Sequence, residues 1–348
     1  MDTTQKVYFD DVNNIQSYDG ADEVDLVVTS PPYPMIEMWD DLFSSVIDNY
    51  KEKLSQENGF AAFDACHNWL DSIWGSIDDV VTNDVIFCIN IGDATRKTDD
   101  SFSLYPNHAR ITEWFVNNGY EPLPIIHWRK LANKSASYMG SGMTPSNAYV
   151  SLDTEYILLF RKNTGTRSFP SKDENRYESA YFWEERNSWF SDLWEVQGDR
   201  QGSANETIRD RTAEYPFEIP FRLINMFSVY DDTVLDPFLG TGTTLQTTAA
   251  LRRNGIGFEI DLSLQKTITE KLNALSTYQS VQRNRLQNHV DFVKSSDKNH
   301  TYTHESYDMP VKTKQEKNVT FYEPSSAVVT DSIDPLTARI EYQKITDL

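Results

Sequence analysis

Short apolar runs of strand length alternate with longer stretches of helical periodicity through the first 275 residues. The runs are rich in β-branched and aliphatic residues and stop at turn residues, as buried strands do. Predicted strands cover residues 24–28, 85–91, 124–128, 154–160 and 255–260, with another beginning at residue 234. Predicted helices cover residues 39–54, 60–80, 107–118, 216–227, 243–253 and 264–275. This alternation predicts an α/β fold built on a mostly parallel sheet with helices on both faces.

The pattern changes in two places along the chain. Residues 163–210 are polar, aromatic and charged with little periodicity, which indicates a small irregular module inserted into the fold. Residues 279–296 could still be helical, but from residue 295 onward the chain is polar with scattered apolar positions. We therefore predict a polar C-terminal extension over residues 276–348 that is weakly structured or peripheral from residue 295 onward.

The net charge of -21 and the sequence pI of about 4.6 argue at first against a nucleic-acid partner, because phosphate contacts need Lys and Arg. The charge is uneven, however. The first 92 residues hold 18 Asp and Glu against 3 Lys and Arg, whereas residues 96–167 hold 9 Lys and Arg against 6 Asp and Glu. Either the acidic part is simply a solvated face, or the middle region faces a polyanion.

The cysteines and the N-terminal residues indicate the compartment. Cys66 and Cys88 form no CxxC pair, so the sequence predicts neither a disulfide framework nor a cysteine metal site. The first residues lack the pattern of a signal peptide, and no apolar stretch reaches the roughly 18 residues of a membrane helix. We expect a cytoplasmic protein without a membrane span or a bound metal.

Residues 233–244 are predicted to run from a strand through a tight glycine turn into a helix. Gly240 and Gly242 let the backbone approach a ligand at the helix N-terminus. The third glycine of the dinucleotide fingerprint and the lysine of a P-loop are both missing. Glu259 ends the next strand, where an acid can accept hydrogen bonds from both ribose hydroxyls of an adenosine ligand. Taken alone the loop could be an ordinary turn, but with Asp236 and Glu259 it suits S-adenosyl-L-methionine, whose ammonium and sulfonium charges favour acids.

A second turn, Ser30-Pro31-Pro32-Tyr33, follows the first buried strand. Its prolines fix φ and remove two backbone donors, so the carbonyls there face a ligand without competing N–H groups. The Ser30 hydroxyl adds an acceptor, and Tyr33 offers a flat face to a planar ring. Such a site suits an exocyclic amino group on an aromatic base, although a purely structural Pro-Pro turn would look the same.

Together, the turn Ser30-Pro-Pro-Tyr33 and the loop Asp236-Pro-Phe-Leu-Gly-Thr-Gly-Thr243 resemble the motif pair of the amino-group DNA methyltransferases, and within them the N4-cytosine enzymes. The order, with the catalytic turn before the cofactor loop, resembles the permuted beta group. The resemblance extends over roughly residues 6–275. It implies a Rossmann-like methyltransferase domain with a catalytic half (1–162), a target-recognition insertion (163–210), a cofactor-binding half (211–275) and the C-terminal extension (276–348).

The resemblance also implies a reaction. A cytosine in a short duplex DNA target would be flipped out, and its N4 would take a methyl group directly from S-adenosyl-L-methionine. Ser30 and the Pro31 carbonyl would bind the amino hydrogens, and Tyr33 would stack on the base. The implied cofactor residues are Asp236, Pro237, Phe238, Gly240, Gly242, Thr243 and Glu259. Such enzymes work beside a restriction endonuclease or as orphans, and residues 30–40 resemble those of enzymes that modify short palindromes such as CTAG or CCCGGG.

DNA contacts are expected in the mildly basic middle region. The loop at residues 133–147 and the 163–210 segment are candidates for base reading. The candidate phosphate-binding side chains are Arg96, Lys97, Arg129, Lys130, Lys134, Arg161, Lys162 and Arg167.

Two alternatives stay open at this point. Adenine-N6 or RNA amino-methyltransferases share the motif pair, although adenine enzymes usually carry Asp or Asn at the position of Ser30. A non-catalytic relative that kept the fold would have no need of both motifs. Cytosine-C5 chemistry is disfavoured because its cysteine nucleophile follows a proline, whereas Ala65 precedes Cys66 and Phe87 precedes Cys88. The pair Cys66-His67 is interpreted as core.

Overall fold

The computed structural model describes residues 1–18, 24–98, 101–130, 139–140, 143–163, 165–197, 214–296, 301–330, 332 and 335–346. Within them the strands are β1 (Asp2–Tyr8), β2 (Val24–Thr29), β3 (Val81–Ile91), β4 (Ala94–Thr98), β5 (Ser101–Tyr105), β6 (Tyr120–Pro122), β7 (Ile126–Lys130), β8 (Met139–Gly140), β9 (Ala148–Tyr149), β10 (Thr154–Lys162), β11 (Leu193–Val196), β12 (Thr233–Asp236), β13 (Asn254–Phe258), β14 (Tyr302–Thr303), β15 (Pro310–Val311), β16 (Tyr322–Val329) and β17 (Leu336–Lys344). The helices are α1 (Asp40–Val46), α2 (Tyr50–Leu54), α3 (Phe60–Asp78), α4 (Asn107–Asn117), α5 (Glu174–Glu178), α6 (Trp183–Trp189), α7 (Glu218–Phe227), α8 (Thr243–Ala250), α9 (Gln265–Asn273) and α10 (Leu275–Ser295).

One large sheet organises the molecule, in the order β11-β7-β10-β3-β2-β12-β13-β1-β17-β16, with β6 paired to β10. Strands β3, β2, β12, β13 and β1 are mutually parallel. Strand β10 is antiparallel to β3 and β7, and β17 is antiparallel to β1 and β16. The expected α/β fold is present, but the sheet is mixed rather than mostly parallel, because antiparallel strands flank its parallel centre.

Alternate residues of the central strands supply two apolar cores on opposite faces of the sheet. On β3, Phe87 and Ile89 belong to the core beneath α3 and α4, whereas Cys88 belongs to the core beneath α7. This alternation is what a strand buried on both faces must show. Helices therefore cover both faces, as the sequence predicts.

The described C-terminal part of the chain is integral to the fold, so the expectation of a weakly structured or peripheral segment from residue 295 onward is wrong, whereas the helix considered for residues 279–296 is present. Strands β16 and β17 complete one side of the main sheet next to β1. Leu336, Ala338 and Ile340 are at most 2% exposed and pack with α8, α9 and α10. The strands form because β17 alternates apolar and polar residues with the period of two that a half-buried strand requires.

The segment at residues 163–210 is less separate than its composition suggests. Over its described part, β11 pairs in parallel with β7 at the end of the main sheet. Trp194 is 1% exposed in the core beneath α7, and Phe182 packs with Leu286 and Phe321 of the C-terminal region. Aromatic residues that lack periodicity thus anchor short elements between the sheet and the C-terminal strands.

Candidate active site

The two sequence motifs lie side by side in the structure. Strands β2 and β12 are parallel neighbours, so the turn after β2 and the loop after β12 leave the same carboxyl edge of the sheet. The hydroxyl of Thr29, the last residue of β2, donates a hydrogen bond of 2.6 Å to Asp236 at the end of β12. Ligands of α/β sheets bind at such an edge, so this is where a site is expected.

The glycine loop has the conformation its glycines predict. Gly240 and Gly242 adopt positive φ values of 55° and 90°, which residues with a Cβ rarely adopt. Helix α8 begins at Thr243, directly after this turn. Ile268 of α9 packs 3.4 Å from where a Cβ of Gly242 would lie. The loop is therefore held from behind by α9 while its other side stays free for a ligand.

Asp236 is buried, with 2% of its surface exposed, and connects the two motifs. Its carboxylate accepts hydrogen bonds from the hydroxyls of Thr29, Thr244 and Tyr215 and from the Phe238 N–H. Burial raises the pKa of Asp236, and these hydrogen bonds counteract that rise. The residue fixes the geometry of the loop and brings negative charge to its inner side.

Glu259 follows β13 and reaches back to the glycine loop. Its carboxylate accepts hydrogen bonds of 2.8 Å from the N–H groups of Gly240 and Asp261. Burial raises its pKa to about 7, and these two backbone hydrogen bonds oppose that rise. The carboxylate is thus held in place, facing the same space as the loop.

A cleft lies between the turn and the loop. Ser30, Pro31, Pro32 and Tyr33 line one part of it. Of the expected cofactor residues Asp236, Pro237, Phe238, Gly240, Thr243 and Glu259 line another, while Gly242 shapes the turn without lining the cleft. The structure thus brings the two predicted residue sets to one cavity.

The chemistry of the cleft fits S-adenosyl-L-methionine. Carboxylates line it from several elements, which suits a ligand with ammonium and sulfonium charges. Apolar side chains line it as well, and they can cover an adenine ring. The acidic lining residues are Asp10, Asp11, Glu214, Asp236 and Glu259, and the apolar ones include Val12, Phe258 and Ile260.

A positively charged side chain, that of Lys271, contacts residues that line this acidic cleft. Lys271 of α9 forms an ion pair with Glu214 and donates to the hydroxyls of Thr241 (2.7 Å) and Thr243 (2.9 Å). Burial lowers the pKa of Lys271, and the charge of Glu214 opposes that effect. Lys271 therefore connects the glycine loop to the residue that precedes Tyr215 and balances part of the acid charge.

Ser30 and Tyr33 belong to a hydrogen-bonded cluster that the sequence analysis missed. The Ser30 hydroxyl donates to the Tyr33 hydroxyl (3.3 Å), which donates to Glu155 of β10 (2.9 Å). The Asn90 amide of β3 donates to Tyr33 (2.7 Å) and Glu155 (2.8 Å), and Lys130 forms an ion pair with Glu155. The available signal was a polar residue, Asn90 or Glu155, within or beside the apolar run of each strand, which indicates a buried polar group with a partner.

The carboxyl edge of the sheet holds four of the described DNA-contact candidates. Arg96 on β4 binds Asp40 through both nitrogens at 2.7 Å, and Lys130 binds Glu155. Exposed Arg129 lies 3.4 Å from Glu195. Lys97 is exposed and has no ion pair within the described part of the chain.

The other described candidates lie at the opposite, amino edge. Strand β10 is antiparallel to β3, so Arg161 and Lys162 at its C-terminal end lie toward the amino end of β3. Each of these cations binds a nearby acid there. The pairs are Arg161–Glu121 (3.2 Å), Lys162–Asp78 (2.9 Å) and Arg167–Asp232 (2.6 Å). The structure therefore separates these three cations from the catalytic turn.

Some of the predicted site residues lie outside the described residues, and the Cys66-His67 pair lies in the core. Lys134 and most of the base-reading loop at residues 133–147 lie outside them, as do residues 198–210. Cys66 and His67 are both fully buried in α3. Burial lowers the pKa of His67 to about 3 and raises that of Cys66, so the interpretation of this pair as core is confirmed.

A mixed α/β sheet with an acidic glycine-loop cleft beside a proline-rich turn at its carboxyl edge defines an S-adenosyl-L-methionine-dependent methyltransferase. Residues 24–271 match the family described as DNA methylase, and the chain belongs to that family. It is therefore a DNA methyltransferase. In the described part of the chain no helix is long and apolar enough to cross a membrane, and no group of His, Cys, Asp and Glu has the arrangement of a metal site.

Individual relatives agree with this family. The type II methyltransferase M.MthZI of Methanothermobacter thermautotrophicus is 44% identical over 332 residues, covering 93% of this chain and 92% of the relative. M.MjaI of Methanocaldococcus jannaschii is 47% identical over 281 residues, covering 78% and 91%. TTHA0409 of Thermus thermophilus, assigned as a DNA modification methylase and solved with S-adenosyl-L-methionine, has a TM-score of 0.59 at 26% identity, covering 77% and 92%. The PvuII cytosine-N4-specific DNA methyltransferase, at 16% identity and a TM-score of 0.57 over 77% and 86%, shares the fold.

Proposed function

We propose that this protein methylates the exocyclic N4 of cytosine in a short duplex DNA target, as the modification enzyme of a type II restriction system or as an orphan. The observation that carries the proposal is the position of the Ser30 hydroxyl. It lines the same cleft as the cofactor residues, in a turn whose prolines remove competing donors. The similarity to two type II methyltransferases, over 93% and 78% of this chain, supports the restriction context.

Positioning is the main task of these residues, because the amino nitrogen of cytosine is a weak nucleophile with a lone pair delocalised into the ring. Ser30 and the Pro31 carbonyl would accept the two amino hydrogens and favour the tetrahedral geometry that localises this lone pair. Tyr33 would stack on the flipped base. When bound, S-adenosyl-L-methionine supplies an electrophilic methyl group. Much of the rate then comes from orientation and fixed dipoles.

On the cofactor side, Glu259 would accept the ribose hydroxyls, and Asp236 and Glu214 would lie near the positive charges. The residues that we assign to cofactor binding are Asp236, Pro237, Phe238, Gly240, Gly242, Thr243 and Glu259.

For DNA we assign phosphate contacts to the candidates at the carboxyl edge, above all Lys97. The target we propose is a short palindrome such as CTAG or CCCGGG, read in part by residues beyond the catalytic turn.

A product analysis tests the proposal. Duplex DNA is incubated with the protein and methyl-labelled cofactor and digested to nucleosides, and we expect label in N4-methyldeoxycytidine. Label in N6-methyldeoxyadenosine would establish the adenine alternative instead, and no transfer to any duplex would favour a non-catalytic relative. Sequencing the modified bases in a bacterial host that expresses the chain then gives the target.

A serine pair tests the site assignment. Ser30→Ala should lower the single-turnover rate by about 100-fold to 1,000-fold, as loss of one fixed transition-state hydrogen bond does. Ser280→Ala, an exposed serine on α10, is the matched control and should leave the rate unchanged. Full activity in Ser30→Ala would refute the assignment of Ser30.

A further inference from the structure

Glu155 is a carboxylate in an unusual place, because it is the second residue of β10, an inner strand of the sheet, and is only 8% exposed. Side chains from three different elements contact it. Tyr33 of the turn and Asn90 of β3 donate to its Oε2, and Lys130 of β7 binds its Oε1. A buried carboxylate is costly unless it is paired in this way, so the fold maintains a negative charge directly beside the catalytic turn.

The hydrogen bonds around Glu155 have a fixed direction. A carboxylate only accepts, so both Tyr33 and Asn90 must donate to it. The Asn90 amide also donates to the Tyr33 oxygen at 2.7 Å, and Ser30 donates to the same oxygen at 3.3 Å. The hydroxyl hydrogens of Ser30 and Tyr33 therefore both point along one path, from the cleft toward Glu155.

Methyl transfer to an amino group needs a route for a proton. The nitrogen lone pair forms the new N–C bond, and the S–C bond breaks with its electron pair remaining on sulfur. The nitrogen then carries two hydrogens, the methyl group and a positive charge. One hydrogen must leave as a proton so that the neutral methylamino base remains.

We propose that this proton leaves through Ser30 and Tyr33 to Glu155. The amino proton passes to the Ser30 oxygen as the Ser30 proton passes to Tyr33 and the Tyr33 proton passes to Glu155, which becomes a neutral carboxylic acid. Lys130, whose side chain is half exposed, forms an ion pair with Glu155, and the proton is finally lost to solvent on this side. Glu155 is a positioning and proton-accepting residue that acts through the two residues touching the base.

This inference rests on the proposed transfer to an amino nitrogen, but it holds for cytosine and adenine alike. It is tested with Tyr33→Phe, which removes only the hydroxyl, with Glu155→Gln, and with the double variant. Single-turnover methyl transfer is measured together with the Kd values for cofactor and DNA. The matched control is Glu121→Gln, since Glu121 also lies beside β10 but at the amino edge.

We expect each single variant to slow transfer about 100-fold, the size of a general acid–base contribution, with both Kd values within about twofold of the wild type. The double variant should be no slower than the slower single variant, because both break one path. Glu121→Gln should retain the wild-type rate. Formate should partly restore Glu155→Ala by supplying a carboxylate in the space left empty, which a merely structural residue would not show.

Three results would overturn the inference: a Glu155→Gln rate within threefold of the wild type, a double variant that loses the product of the single effects, or an absence of rescue by formate. If Glu155→Gln fails to fold, Tyr33→Phe decides alone, and a wild-type rate there refutes the path. Failure of the proposed function is distinct, because it is detected in the wild-type protein alone, as label in N6-methyldeoxyadenosine or as no transfer to DNA.

Discussion

The two edges of the central sheet carry similar side chains and use them differently. At the carboxyl edge, Asp236 and Glu259 line a cleft that a ligand can enter. At the amino edge, Arg161, Lys162 and Arg167 each bind an acidic neighbour. Charged side chains thus line a cleft only at the carboxyl edge, whereas these three cations at the amino edge are all held in ion pairs.

This difference teaches how to interpret charge in an acidic chain. With 53 Asp and Glu for 32 Lys and Arg, a cation usually finds a carboxylate nearby. A cluster of basic residues in the sequence therefore does not identify a DNA-binding surface. The direction of the strands is the better guide to a ligand site, because ligands of open α/β sheets bind at the carboxyl ends of the strands.

The largest expected effect comes from Asp236, which both stabilises the fold through its hydrogen bonds and lines the cleft. Asp236→Ala removes the acceptor of four hydrogen bonds and should lower the free energy of unfolding by about 2–3 kcal/mol. It should weaken cofactor binding by about 100-fold, since truncating one partner of a buried, hydrogen-bonded charge typically costs about 2–5 kcal/mol. Calorimetric titration and thermal melting measure the two effects. Exposed Asp291→Ala serves as the control, and a variant with normal cofactor affinity would contradict the assignment.

At the amino edge we expect a loss of stability alone. Arg167 lies between Asp232 and Asp25, and burial together with the charge of Asp232 raises the pKa of Asp25 to about 6. Arg167→Met leaves these two acids together without a cation and should lower the free energy of unfolding by about 1–3 kcal/mol. Denaturant unfolding measures this loss. Cofactor affinity should stay unchanged, and a drop in affinity would show that the two edges are not independent.

The pH dependence of cofactor binding should arise from the titration of Glu259 at the carboxyl edge. Burial raises the pKa of Glu259 to about 7 in the cofactor-free protein, so its neutral form is favoured below that pH. The contribution of this neutral form to the folding stability is lost as pH rises from about 4.5 through 7. The ribose hydroxyls donate to the ionised form, so affinity should increase about tenfold between pH 6 and 8. Titrations at three pH values measure it. Glu259→Gln should remove the dependence, and its persistence would indicate another group.

The smallest expected effect compares one exposed lysine at the carboxyl edge with a paired lysine at the amino edge. Lys97→Met should weaken DNA binding about threefold and reduce the salt dependence by about one counterion. Lys162→Met should change neither, because Lys162 is bound to Asp78 at the amino edge. Binding to a labelled duplex at several salt concentrations checks both. Equal losses in the two variants would mean that DNA reaches both edges.

Much of the site could be predicted because local sequence determines it. Strands β2 and β12 are apolar runs that end in prolines or glycines, and such residues stop a strand wherever it lies. The cleft follows from these ends, since parallel neighbours bring them together. The family match confirms the DNA methyltransferase class that these motifs indicated.

The rest depended on contacts between distant parts of the chain. Glu155 contacts Tyr33 only because β10 pairs with β3, and no local sequence pattern encodes that pairing. The C-terminal strands were missed although β17 alternates Leu336, Ala338, Ile340 and Tyr342 with polar residues. That pattern is short and lies in a polar region, so the average composition concealed it.

The aromatic lining of the cleft has an optical consequence. Trp39 and Trp69 both line it, whereas Trp74 and Trp194 are enclosed in the cores. Indole emission responds to the polarity and the quenching groups around the ring. The protein thus carries its own fluorescent reporter at the place where a ligand enters, and occupancy of the cleft can be followed without a label.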